Sequence, residues 1–347
     1  ALIVAIKIFS MFPSLVEKYY SVGIYKGISA VQRILFGWVP FSIGDVFYGA
    51  VAIILIVKLV RFIKAVRKKQ AGKAYWLSGL RQLLFFALSV YVVFNVLWGL
   101  NYNRVGIAQQ LELDVQVYPK EDLLHVVDKL VTHLQELDTI GRINRAYVGV
   151  KQNLFQGSVE SYDSLGAHRK QFVYDYHSVK PSLYSYLGNY LGFTGYYNPF
   201  SGEAQVNTTV PSYVLPFTTC HEIGHQIGYA KESEANFAGF LSAKSSNDPA
   251  FRYSVYFDMY LYSRRYVFNL DSNLLRSYDA RLGAGFRADY KELREFWKKH
   301  ENPMEKLVDK VYGQYLRANQ QPSGKLSYSE VISWLIAYSK KYGIDAI

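Results

Sequence analysis

The chain has 347 residues, half of them apolar, with one cysteine and a formal net charge of +11. The single cysteine, Cys220, excludes an internal disulfide and a cysteine-rich zinc site. The positive charge does not point to nucleic acid, because much of the excess sits in one short segment between two apolar runs.

The apolar runs cluster before residue 101 and predict a membrane region over residues 1–104. The opening "ALIVAIKIF" is too short to cross a bilayer alone; residues 1–12 are expected to end a first spanning helix. Residues 13–40 repeat Val16, Tyr19, Tyr20, Ile24, Ile28, Val31, Ile34 and Leu35 at roughly helical spacing. That pattern predicts an amphipathic segment at the outer membrane surface or under the outer domain. A span follows over about 41–60, with Asp45 near one end and Lys58 able to snorkel at the other. A second covers about 82–100, where Leu83 to Leu100 is an uncharged run of 18 residues. Trp98 and Tyr102 suit the membrane interface. The intervening loop, 58–81, carries Lys58, Arg61, Lys64, Arg67, Lys68, Lys69, Lys73 and Arg81 with no Asp or Glu. A basic loop stays in the cytoplasm, so residues 105–347 are expected outside it. The expected location is a bacterial inner membrane, multi-pass, with the C-terminal domain in the periplasm and the lipid bilayer as partner.

The outer domain reads as α+β and mostly helical. Leu123, Leu124, Val127, Leu130, Val131, Leu134 and Leu137 mark one helical face, with His125 and His133 expected on the surface. Residues 181–209, rich in Tyr and Gly, read as short strands and loops. The likeliest strand is Glu203, Ala204, Gln205, Val206 and Asn207. A helix is expected from about Cys220, capped by Thr218 or Thr219. Further helices are expected near 232–245, 250–269, 287–300, 303–318 and 327–341.

The chemistry concentrates in "CHEIGHQIGYAKESEANF", residues 220–237. His221 and His225 lie four apart, so on a helix they share a face and can bind one metal ion. Glu222 adjoins the first ligand and can act as general base. A catalytic zinc takes three protein ligands and keeps one position open. Gly228 can end the helix, and a second helix then offers Glu232 or Glu234 as third ligand. Glu232 is preferred. Asn236 follows it by one turn and is placed to bond the outer nitrogen of a ligand histidine, and Ala235 and Gly239 leave room for close helices. One zinc per chain is expected.

This pattern resembles that of gluzincin-type zinc metallopeptidases, which have HExxH followed by a Glu ligand in E-x-x-[SA]-[DN]. Only six residues separate His225 from Glu232, a shorter gap than in those families. The short glycine-containing turn is similar to that of metzincins, but their third histidine would fall on Lys231. The whole chain resembles an uncharacterised bacterial membrane family of the Bacteroidetes type, domain of unknown function 3810, through "GYYNPFSGEAQVN" and "LPFTTCHEIGHQIGYAKESEANF". The resemblance implies a zincin-like outer domain. It also implies that Glu203–Asn207 form the edge strand that pairs with an extended peptide substrate. Transition-state donors remain open among Tyr196, Tyr197, His177, Tyr256 and Arg264. The expected function is a membrane-anchored zinc peptidase acting on envelope proteins or peptides. The rival reading is a non-catalytic scaffold or assembly factor, in a membrane-protein complex, on a peptidase-like fold with a structural or vestigial metal.

Overall fold

The computed structural model describes residues 1–319 and 328–347. Two helices, Ile43–Arg67 and Lys73–Leu97, are each 25 residues long and apolar enough to cross a membrane. At about 1.5 Å per residue each exceeds a hydrocarbon core of about 30 Å. Ser42 caps the first by accepting from the Asp45 amide. The expected loop of 58–81 is much shorter: only residues 68–72 break the two helices. Lys and Arg are good helix formers, and Lys64 and Arg67 sit beside the last carbonyls of the first span, where the helix dipole favours positive charge. The opening helix, Leu2–Ser10, packs on the second span, with the Lys7 ammonium 5.6 Å from the centre of the Tyr91 ring.

Residues 13–36 are helical, with π-helical geometry over Val16–Ile24 and an α-helix over Tyr25–Phe36. The expected apolar stripe splits. Val16 and Tyr20 are buried, while Tyr19, Ile24, Val31, Ile34 and Leu35 are exposed. The face turned inward from the second half carries Ser29, Gln32 and Arg33. The wide π turn breaks the 3.6-residue register, which is why one stripe does not follow one face. The outward apolar face beside two long apolar helices suits the headgroup boundary of a bilayer.

The remainder is mostly helical around one large apolar core. Helix Lys120–Leu137 buries Leu123, Val127, Leu130, Val131, Leu134 and Leu137, together with Val126, while Leu124 is half-buried. His125 is exposed as expected, but His133 is half-buried and stacks on Tyr256 at 4.5 Å. Helices Glu232–Lys244, Pro249–Leu270, Ala284–His300, Pro303–Ala318 and Tyr328–Tyr342 lie close to their expected places; residue 327 is outside the described residues. Ser272–Arg281, capped by Asp271, is an additional helix.

A three-stranded sheet, β1 (Val179–Pro181), β2 (Gly195–Asn198) and β3 (Glu203–Val206), has the order β1-β3-β2. β3 pairs in parallel with β1 and antiparallel with β2. The segment Glu203, Ala204, Gln205, Val206 is therefore a strand, but the middle one, and not the expected edge. All four residues are buried, Glu203 and Gln205 included. Glu203 caps the first span instead: its carboxylate accepts from the amides of Ile43 (3.1 Å) and Gly44 (2.6 Å). Asn207 turns its side chain back to Asn189 (2.8 Å). The position beside the cleft belongs to β2.

Candidate metal centre

The helix that carries the motif is Leu215–Gln226, five residues longer at its start than expected. Pro216 stands in its first turn, where no donor is lost. Thr219 is inside the helix, and its hydroxyl donates to the Leu215 carbonyl (2.7 Å), so neither Thr218 nor Thr219 is the cap. Gly228 then adopts φ +99°, a left-handed conformation that reverses the chain at low cost. Glu232–Lys244 runs back against the motif helix. The two approach closely because their contacts fall on glycines. A Cβ on Gly239 would lie 3.0 Å from the His221 amide nitrogen, and one on Gly224 would lie 3.2 Å from the Ala235 carbonyl.

This approach brings three ligand-type side chains together. His221 Nε2 is 3.4 Å from one Glu232 oxygen, and His225 Nε2 is 3.5 Å from the other. The ligand atoms of His221, His225 and Glu232 all lie within 4.8 Å of one another. These contacts are long for charge-assisted hydrogen bonds. They match the edges, about 3.3 Å, of a tetrahedron whose centre is about 2.0–2.1 Å from each ligand. The donor set, two imidazoles and a carboxylate, fits a borderline ion such as zinc.

Glu222 faces the same space. It is 4% exposed, and its Oε2 is buried with no hydrogen-bond partner. Gly195 of β2 makes room for it, since a Cβ there would sit 2.6 Å from Oε1. Glu234 is held elsewhere: its carboxylate meets the Ile107 amide (3.4 Å) and the Lys231 ammonium (3.8 Å). Asn236 is buried and lines the cavity, but no hydrogen bond joins it to either histidine among the described residues. The outer nitrogen of His225 bonds the Tyr229 carbonyl (2.8 Å), and that of His221 has no partner. The expected Asn236–histidine bond is thus replaced by a backbone carbonyl four residues on.

Burial pushes the Glu222 carboxyl up to about 7, against the pull of both imidazoles. Burial works against a charged His225, but the Glu232 carboxylate outweighs it and raises the imidazole to about 9. Glu232, although buried, is held well below the ordinary carboxylate range by the two histidines. The cluster is therefore an anionic carboxylate that already attracts positive charge. A divalent cation would replace the shared proton.

Several supporting residues left no local signal. The last carbonyls of the motif helix are satisfied by groups from the membrane-proximal chain. Trp98 donates its indole N–H to the His225 carbonyl (3.0 Å), and the Tyr25 hydroxyl donates to Gln226 (2.8 Å). Arg104 donates to the Gly228 carbonyl (3.1 Å) while gripping Glu17 through two bonds of 2.9 and 2.8 Å. Trp98 is thus buried against the site and is no interface anchor. Tyr312, on helix Pro303–Ala318, donates to Glu232 (2.6 Å). Tyr196 and Tyr197 line the cavity, but Tyr196 bonds Asp45 and Tyr197 meets the Tyr25 hydroxyl. His177, Tyr256 and Arg264 do not line it; they are engaged with Tyr174, His133 and Asp279. The cavity itself encloses about 1100 Å³ and includes Asp258, whose carboxyl burial pushes up to about 8.

The family model described as "Protein of unknown function (DUF3810)" matches residues 20–336, so the chain belongs to that family. No curated protein and no solved structure matches it.

Proposed function

We propose that this member of the DUF3810 family is a membrane-anchored zinc metallopeptidase. Its outer domain would be zincin-like and stand on the periplasmic side of a bacterial inner membrane, acting on envelope proteins or peptides. One observation carries the reading: His221, His225 and Glu232 converge within 4.8 Å, and Glu222, with one carboxylate oxygen buried and unpaired, lines the same cavity. A purely structural site has no use for that fourth, unsatisfied group.

His221, His225 and Glu232 would hold the ion, which when bound supplies Lewis acidity and a nucleophile at neutral pH. Glu222 accepts the nucleophile's proton and delivers it to the leaving amine; burial keeps its affinity for a proton in the useful range. The Tyr229 carbonyl fixes the tautomer of His225 so that Nε2 faces the ion. β2 is the outer strand of the sheet beside the cleft, so an extended peptide would pair with Gly195–Asn198. Tyr312 donates its hydroxyl to Glu232 and so helps to hold that carboxylate.

Elemental analysis of the detergent-purified protein tests this. About one zinc per chain is expected in wild type, Glu222→Gln and Glu234→Ala, and its loss in His221→Ala and Glu232→Ala. A well-folded wild type that takes up no zinc when supplied with it would overturn the peptidase and favour the scaffold reading. If zinc binds, Glu222→Gln serves as a trap for substrates.

A further inference from the structure

The cavity that holds the cluster does not end at the outer domain. Its wall continues onto Ala87, Val90, Tyr91 and Phe94 of helix Lys73–Leu97 and onto Tyr48 of helix Ile43–Arg67. Positions 87, 90, 91, 94 and 98 share one helical face, so the lining is a continuous stripe that leads up to Trp98 and His225. Ala87 lies ten residues before Leu97, about 15 Å down the axis, or half of a hydrocarbon core of about 30 Å. The two long helices meet at their far ends, where Phe62 touches Tyr75 and Trp76 at ring distances of 6.4 and 5.1 Å. The cavity fills the space between their near ends. Its opposite rim is Leu187, 53% exposed, on helix Ser185–Leu191.

The charged and ionisable groups with a role in metal or proton chemistry cluster at the top of this space, at His221, Glu222, His225 and Glu232. The lower wall carries no charged side chain, and its polar groups are the hydroxyls of Tyr48 and Tyr91. A largely apolar wall suits an apolar occupant, and Ala87 and Val90 are exposed at this depth of the long helix. The apolar side chains of the lower half, Ala87, Val90, Phe94 and Leu187, suit a hydrocarbon chain.

We infer that the lower half of the cavity receives the hydrocarbon chain of a lipid-anchored peptide, entering between the two long helices, while its peptide part lies along β2 at the cluster. This rests on the peptidase reading for the peptide part alone; the chain site stands or falls by itself.

The test uses the full-length protein in lipid nanodiscs. The probe is a palmitoylated pentapeptide with a photoactivatable diazirine at the end of its acyl chain. Mass spectrometry then maps the labelled residues. Labelling is expected at Val90 and at Leu187, the opposite rim of the lower half and outside the two long helices. Ala87→Trp combined with Val90→Trp fills the channel and is expected to cut that labelling about tenfold. Val93→Trp, on a lipid-facing position of the same helix, should leave it unchanged, and thermal unfolding confirms that all variants are folded. The unacylated peptide, carrying the diazirine on a side chain, should not label Val90. Labelling confined to lipid-facing positions such as Leu84 and Val93 would overturn the inference. Equal cavity labelling by a diazirine phosphatidylcholine would also overturn it, identifying a resident bilayer lipid. His221→Ala should retain the label at Val90. Retained labelling in a wild type that takes up no zinc would sink the peptidase while leaving the chain site intact.

Discussion

The two ends of the motif helix are held in opposite ways. Its ligand face meets Glu232 from a helix that starts seven residues after His225, so the cluster is made by one short stretch of chain folding on itself. Its C-terminal carbonyls are held by Tyr25, Trp98 and Arg104, which lie 201, 127 and 124 positions away from their acceptors. The cluster is local and chemical; the collar is distant and structural. The difference separates what a mutation should do: a change in the cluster alters metal or turnover in a folded protein, and a change in the collar alters the fold first.

The largest effect should come from Glu222→Gln. The change keeps the shape and removes the base. Given the proposed role, peptide hydrolysis should fall by about 10²–10⁴-fold with zinc content and thermal stability unchanged. If turnover persists in the zinc-loaded variant, Glu222 is not the base, and the cluster loses its chemical half.

Arg104→Met strikes the collar. Arg104 is 5% exposed and makes a bidentate pair with Glu17 besides its bond to Gly228. Removing one partner of a buried pair strands the other, at a cost of about 3–5 kcal/mol. Thermal unfolding should show a clear drop, while the folded fraction retains zinc. Equal stability would mean that the collar does not support the site.

Gly239→Val tests the seam between the two regions. Its Cβ would sit 3.0 Å from the His221 amide nitrogen and 3.1 Å from its Cα, both backbone atoms with little freedom to yield. Overpacking of about 1–3 kcal/mol should push the helices apart and weaken zinc binding measured by competition with a chelator. Unchanged affinity would show that Glu232 tolerates a wider gap.

What was legible in the sequence follows the same division. The two long apolar helices, the mostly helical remainder of the chain, and the facing of His221 and His225 all arise from short-range periodicity, which a sequence displays directly. A helix puts Glu232 and Glu234 about 200° apart, so only one could face the histidines, but the ground for preferring Glu232, a bond from Asn236 to a ligand histidine, is not found among the described residues. The role of Glu203 was not legible. Its strand alternates polar and apolar residues as an exposed edge would, but Glu203 and Gln205 are buried against the first long helix, some 160 positions back. The stripe in residues 13–36 failed for another reason: a π-helical stretch has no distinct residue pattern, yet it turns the following residues to a different face. Tyr312, one of 31 tyrosines, carried no mark of its contact with Glu232.

The smallest effect, and the finest probe of the collar, is Trp98→Phe. The ring that packs at 5.1 Å on Tyr197 and at 6.0 Å on His225 is largely kept, and only the indole donor to the His225 carbonyl is lost. That carbonyl still accepts from the Gly228 amide (3.1 Å), so it is not stranded. The loss should therefore be near that of one ordinary hydrogen bond, about 1 kcal/mol, visible as a small shift in thermal unfolding. Zinc affinity is the sharper readout. His225 contributes both the carbonyl and the ligand imidazole, so any slackening of its backbone moves Nε2 directly. A small stability loss with a larger loss of zinc affinity would show that the collar aims the ligand as well as supporting the helix. Loss of stability alone would leave the collar a purely structural clamp.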